Sequence, residues 1–475
     1  MTSVTDGMGA LKRGDLEVAE GIFGALLKKN TRDAASLRGL ALICLARNDS
    51  KFALELLSIA VNYQPDYLEA RCDIARIFTS QGQYLDALKI LDIAISDEID
   101  LSEAQLLRGN ALRALGRLQD ALACYERGDA PEYYEEFSIN RANVLVDLKR
   151  FDEAERLIAS IVASRPDNEH ARFNQALLHL RLGQWPSGWP LQESRVKKIK
   201  DKGWRTGGLR EELNEKSQRG CRPTVLVYSE QGLGDVIQYL RFLSPSWWTM
   251  AELTVQVPKA LTEIVVENFP HLKVTTDPSI LDQDFDLKVS LLSLPAALGF
   301  QSEQELAAQP YIRVPTSRVA AFRETVRGQS MERCIGVQWR GAGNPRLINR
   351  SMPIESLSAL ARHSDRIVSL RQEPTDAEAQ WLDGMGIVRL DSLMMSFIDT
   401  AAVIENLDIV VTVDTSIAHL SGAMGKRTFV LIPYAAAWVW MEGRADSPWY
   451  PSVTLIRQRA PGDWASCLAA LELML

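Results

Sequence analysis

The sequence predicts a chain built in two styles. An N-terminal α-superhelix of repeated helix pairs covers residues 1–195, and two α/β units with parallel sheets follow at 223–325 and 326–475, after a linker at 196–222. Three observations predict this. One turn recurs at near-constant spacing through the first 190 residues. From Thr224 onward, short β-branched runs alternate with amphipathic helices. Several of those runs end in glycine- or hydroxyl-bearing turns, where open parallel sheets bind ligands. At 475 residues the chain is also too long for a single core.

The recurring turn reads GDLEVA at 14, NDSKFA at 48, GQYLDA at 82, GRLQDA at 116, KRFDEA at 149 and GQWPSG at 183, in steps of 34, 34, 34, 33 and 34 residues. Alanine stands five places after each start, at Ala19, Ala53, Ala87, Ala121 and Ala154, and Gly188 takes the place in the last copy. Between turns the apolar residues keep helical spacing, as in ALKILDIAI and EAERLIASIV. A small residue at a fixed place lets paired helices approach closely. The pattern resembles the tetratricopeptide repeat over roughly residues 8–195, with about five copies and a terminal half copy. That resemblance implies a stacked superhelix whose concave face binds another chain. Asn110 and Asn143 occupy matching places six residues before their turns. They are either solvated polar positions or a short amide ladder for the backbone of an extended peptide, and Met8, Leu42, Arg76 and Leu177 at the other matching places make any ladder partial.

The run RVKKIKDKGWRTGG reads as a solvated basic helix leading into a linker. Beyond it the strand candidates are TVLVYS, LTVQV, LKVTT and LKVSLL in one series, and CIGVQW, RIVSL, GIVRL, DIVVTV, TFVLI and VTLIRQ in a second. Alternation with helices implies parallel sheets with right-handed crossovers, hence two Rossmann-like domains facing a cleft. WASCLAALELML closes the chain as a helix.

Three segments fall where strands should end on that cleft. YSEQGLGDVIQYLRF (228–242) has Gly232, Gly234 and then Asp235 at a helix start. It is not the G-x-G-x-x-G of dinucleotide binding. Asp235 is either a helix cap or a carboxylate placed to take a proton. VVTVDTSIAHLSGAMGK (410–426) ends a buried strand at Asp414 and starts a helix at Thr415 and Ser416, where hydroxyls and free N–H groups suit an anion. His419, one turn on, is either a partly buried histidine or part of that face. VQWRGAGNPRLINRSMPIESL (337–357) carries Arg340, Arg346 and Arg350, each a candidate for a phosphate or simply a surface arginine.

Taken together and in this order, QGLGDVIQYLRFL, FDLKVSLLSLP, VDTSIAHLSGAMGK and DSPWYP with the later RQ and GDW resemble bacterial tetratricopeptide-repeat glycosyltransferases. The catalytic part is similar to the heptosyltransferase group, glycosyltransferase family 9, of the GT-B fold. The resemblance spans nearly the whole chain. It implies Asp235 as general base, with Gly232 and Gly234 giving the acceptor room. It implies Arg350 as a phosphate clamp, in place of the family's lysine, and Asp414, Thr415, Ser416 and His419 as contacts to the donor. Arg340 and Gln372 are further donor-side candidates. The activity implied is transfer of a sugar from a nucleotide-sugar co-substrate to a protein hydroxyl, without a metal or other cofactor. The repeats would recruit the acceptor, for which flagellin is a family-level analogy. The D-F-D at 284–286 lies away from the donor side and is not read as a metal site.

Two alternatives stand beside this reading: a repeat-based adaptor whose α/β half is inactive, and a transferase acting on a lipid-linked oligosaccharide. The net charge of -8 gives no support for a nucleic-acid partner. No apolar run is long enough to span a membrane, and the N-terminus lacks the pattern of a signal peptide. The 6 cysteines, Cys44, Cys72, Cys124, Cys221, Cys334 and Cys467, are scattered with no C-x-x-C pair, so a cytoplasmic protein with reduced thiols is expected.

Overall fold

The structure, a computed structural model, describes residues 3–95, 102–128, 133–195, 208–218, 222–306, 309–328, 332–341, 350–362 and 365–475. Among these, six helix pairs come first, from Val4–Lys12 with Leu16–Lys29 to Glu169–Arg181 with Trp185–Gln192. Two parallel sheets follow.

The repeated turn has a backbone cause. Its first residue lies in the left-handed region in all six pairs: Gly14, Asn48, Gly82, Gly116, Lys149 and Gly183 have φ of 85°, 64°, 75°, 74°, 62° and 77°. That geometry closes the first helix of each pair and favours glycine, then asparagine. The five alanines that follow are fully buried. At Gly188 an added Cβ would come within 2.6 Å of Leu180 Cδ2 and 3.2 Å of its backbone nitrogen, so even alanine is too large. The terminal half copy is therefore a full helix pair, with a short second helix at Trp185–Gln192.

The chain divides into two compact units, Met1–Leu148 in one and Lys149–Gly343 with Asn349–Leu475 in the other. The last repeat thus belongs with the α/β region. A repeat helix at the end of an array has an uncovered apolar face, and here tryptophans fill the gap. Trp185 stacks on Trp449 at 5.7 Å and Trp189 meets Trp438 edge-on at 5.8 Å. Arg181 adds an ion pair to Glu442 (3.0 Å) and a hydrogen bond to the Ala436 carbonyl (2.6 Å). Within the segment read as a linker, Leu209–Gln218 is a helix whose Leu209 and Leu213 join the same core.

The first sheet has four strands, β1 Thr224–Tyr228, β2 Glu252–Gln256, β3 Lys273–Thr275 and β4 Leu287–Ser290, in the order β3-β2-β1-β4. The second has β5 Cys334–Gln338, β6 Arg366–Ser369, β7 Ile409–Val413, β8 Thr428–Ile432 and β9 Val453–Arg457, in the order β6-β5-β7-β8-β9. Every pairing is parallel, as the strand-helix alternation implies. GIVRL does not form a full strand. Only Val388 makes an isolated bridge, to Val368. The closing helix is Trp464–Glu472.

Candidate functional site

β1 is an interior strand, flanked by β2 and β4, and it ends at Tyr228. The chain then turns into the helix Leu233–Tyr239, whose N-cap, Gly232, has no side chain to cap it. β7, also interior, leads through Asp414 to Thr415, which caps the helix Ser416–Ala423 by accepting the Ile417 N–H at 3.3 Å. These two helices pack on each other by their starts. A Cβ added at Gly234 would lie 2.9 Å from His419 Cδ2 and 3.5 Å from Ser416 Cα, so the second glycine of GLGD is required by the neighbouring helix rather than by open space for a substrate. At Gly232 the near atom is Asp235 Oδ2, at 3.4 Å.

Four charged or polar side chains from three segments meet there. Asp414 is buried, and its Oδ2 stands 3.3 Å from Arg350 Nη1 without forming a hydrogen bond. His419 is buried with its ring stacked on Trp440 (centroids 5.2 Å, 26° between planes) and Nδ1 3.0 Å from the Tyr450 hydroxyl. Burial pushes this imidazole down to about 4, against the pull of Asp414, so it is neutral at pH 7. Asp235 is partly buried, and its carboxyl is pushed up to about 6, first by burial and then by Asp414. Arg350 and hydrogen bonds from the backbone at Gly232 and Asp235 oppose the rise without cancelling it. The carboxyl thus lies in the first turn of its helix, beside the backbone of Gly232 and Asp235, and its proton affinity is raised toward neutrality.

Other candidates have other partners. The Arg340 guanidinium forms a two-bond fork with Glu378, at 2.5 and 2.7 Å. Burial would raise Glu378, yet the bonds from Arg340, the Thr375 backbone and Trp339 hold it down at about 2. Glu378 also closes the capping box of the helix Asp376–Gly384, so Arg340 has a structural use there. Gln372 donates to Thr400 Oγ1 at 3.0 Å. Asn110 accepts the Tyr125 hydroxyl at 2.7 Å, which occupies its carbonyl within its own repeat, and Asn143 is half-buried. Asp286 of D-F-D binds the Thr224 N–H and hydroxyl, both at 2.9 Å, and anchors the start of β1. Arg346 and Cys221 lie outside the described residues.

Sequence reasoning missed two features. Arg195, the first residue of the basic run read as solvated, is only 8% exposed and binds Glu193 and Glu230. Arg241 sits against the rings of Tyr311, Trp449 and Tyr450 at 5.0, 5.2 and 5.0 Å, beside the hydroxyl that holds His419. Glu230 stands inside the quoted loop and was visible, but nothing in the spacing linked it to a residue 35 positions earlier. A shallow depression of about 210 Å³, lined by Glu332, Asp365, Arg366 and neighbours, opens at the opposite ends of β5 and β6, away from these groups.

Comparison with known proteins gives the following. Residues 6–71, 72–133 and 139–187 match the tetratricopeptide repeat family. Protein FlbA of Caulobacter vibrioides is 22% identical over 436 residues, covering 84% of this chain and 71% of that protein. Among solved structures, a tetratricopeptide-repeat protein of Thermus thermophilus is 23% identical with a TM-score of 0.32, covering 37% of this chain and 97% of its own. A glycosyltransferase family 9 structure from Veillonella parvula is 12% identical with a TM-score of 0.35, covering 50% of this chain and 86% of its own. The N-terminal part of the chain is accordingly an array of tetratricopeptide repeats, and it leads into an α/β region of two parallel sheets.

Proposed function

We propose that the chain is a glycosyltransferase of GT-B type that moves a sugar from a nucleotide-sugar donor to a hydroxyl of a protein acceptor captured by the repeats. The observation that carries the reading is the meeting of Asp235, Arg350, Asp414 and His419 at two facing helix starts, with the Asp235 carboxyl raised to about 6. In this reading Asp235 takes the proton of the acceptor hydroxyl as its oxygen attacks the anomeric carbon and the bond to the donor phosphate breaks. Charge on the departing phosphate falls to Arg350 and to the N–H groups around Thr415 and Ser416. Neutral His419 offers a ring nitrogen to a sugar or phosphate oxygen. Arg340 and Gln372 would line the donor's far side, Gly232 the acceptor's entry, and Asn110 with Asn143 the acceptor peptide. No helix among the described residues is long and apolar enough to cross a membrane, and a cytoplasmic setting fits a nucleotide-sugar donor.

Flagellin is the acceptor to try first, on the strength of the sequence resemblance. Incubation of the chain with flagellin and a nucleotide-sugar panel should add one or more sugar masses to intact flagellin. Asp235→Asn should lower the rate about 10²–10⁴-fold, the usual worth of a general base. Transfer by that variant at the wild-type rate would remove the base assignment.

A further inference from the structure

Between the last repeat and the first sheet lies a closed set of charges that the proposed reaction does not use. Arg195 follows the short helix Trp185–Gln192 and spends all five N–H groups on protein acceptors. Nε and Nη2 bind Glu230 Oε1 at 3.0 and 2.7 Å, and Nη1 binds Glu193 Oε1 at 2.9 Å and the Gln192 carbonyl at 3.0 Å. Nη2 also binds Ser293 Oγ at 2.9 Å. Ser293 in turn donates to Glu193 Oε2 at 2.7 Å, and the Ser290 hydroxyl donates to Glu230. The three charged side chains are 8%, 9% and 17% exposed.

Such a set is costly to bury and is weak evidence for stability, because apolar replacements often fold as well or better. Its position suggests another use. Glu230 is two residues before Gly232, in the loop between β1 and the helix that carries Asp235. Ser229 is fixed by β2 through the Gln256 carbonyl and side chain, at 3.1 and 3.3 Å. Gln231 and Gly232 are exposed. Leu233 then packs against the core, so Glu230 is the last side chain that hydrogen bonds hold before Asp235 among the described residues, and its anchor comes from the end of the repeat array.

We infer that Arg195 is a positioning residue: by gripping Glu230 it fixes the Ser229–Gly232 loop and so the place of Asp235, making the last repeat's exit a part of the catalytic body. The inference rests on the proposed role of Asp235, but the loop itself can be tested without any substrate.

The test is amide hydrogen exchange on the full chain, comparing wild type with Arg195→Met and with Arg195→Met/Glu230→Gln, which leaves no unpaired charge on the loop. Amides at 229–235 should exchange at least ten-fold faster in both variants, while those of β7 stay protected. Arg195→Lys should restore part of the protection. In a transfer assay the double variant should lose kcat ten-fold or more and keep its affinity for the nucleotide that binds wild type. Unchanged exchange at 229–235, or equal acceleration across both sheets, would overturn the inference. Faster local exchange in a chain that transfers no sugar would leave the tether standing and remove the proposed reaction instead.

Discussion

Asp235 and His419 sit on facing helix starts and pull stability in opposite directions as pH changes. With its carboxyl at about 6, folded Asp235 keeps a proton between about pH 4 and 6 that the unfolded chain has released, so this group makes stability fall as pH rises through that window. His419, at about 4, refuses a proton that the unfolded chain accepts below 6.5, so it makes stability fall as pH drops. Asp235→Asn should therefore melt higher than wild type at pH 7.5 and no higher at pH 4. The gain should be about 1–2 kcal/mol, allowing for solvent contact at this partly exposed group. Differential scanning calorimetry across pH reads it, and a lower melting point at pH 7.5 would contradict the assigned burial. Activity in wild type should lose its base with an acid limb near pH 6. Gly234→Ala should force the two helices apart, at about 1–3 kcal/mol, and abolish transfer; wild-type transfer by this variant would show that the close approach to His419 is dispensable. Much of this site was legible: GLGD holds Asp235, DTSIAH holds Asp414 and His419, and INRSMP holds Arg350. That the second glycine answers to His419 was not, because the two stretches are about 180 residues apart and only the packing of their helices brings them together.

At the scale of elements, the repeated turns make a sharper test than the strands. Gly116 has φ 74°, so Gly116→Ala should lose about 1–2 kcal/mol. Gly21 lies inside the helix Leu16–Lys29 with nothing within 4 Å of an added Cβ, so Gly21→Ala should gain about 0.5–1 kcal/mol. Urea melts of the two variants should move in opposite directions, and movement in the same direction would mean that backbone geometry does not set the repeat. The helix pairs were readable because a left-handed turn residue and a buried small residue recur at fixed spacing. The strands were readable because parallel sheets bury both faces in β-branched runs. GIVRL satisfied the same pattern yet forms a single bridge, since β-branched composition alone does not provide a hydrogen-bonding neighbour. The helix Leu209–Gln218 escaped notice because only Leu209 and Leu213 mark its buried side in an otherwise polar segment.

For the whole molecule, the sequence ends the repeats near residue 195, and the compact unit that holds the α/β region begins within the array, at Lys149. The periodicity runs through the last repeat without interruption, so it hides that Trp185 and Trp189 share a core with Trp449. Removing a buried tryptophan costs about 3–5 kcal/mol. A chain starting at Val196 should therefore lose its cooperative melt, whereas one starting at Lys149 should keep it; equal melts would contradict the shared core.

The central claim is that the facing helix starts bind a nucleotide sugar, and a thermal-shift series against nucleotides and nucleotide sugars tests it most directly. One donor class at about 100 times its dissociation constant should stabilise the wild-type chain by about 2.7 kcal/mol. The shift should be lost in Arg350→Ala and in Asp414→Ala and kept in Asp235→Asn. No shift with any donor, or the same shift in Arg350→Ala, would contradict the account and favour a protein-binding adaptor with a silent α/β half.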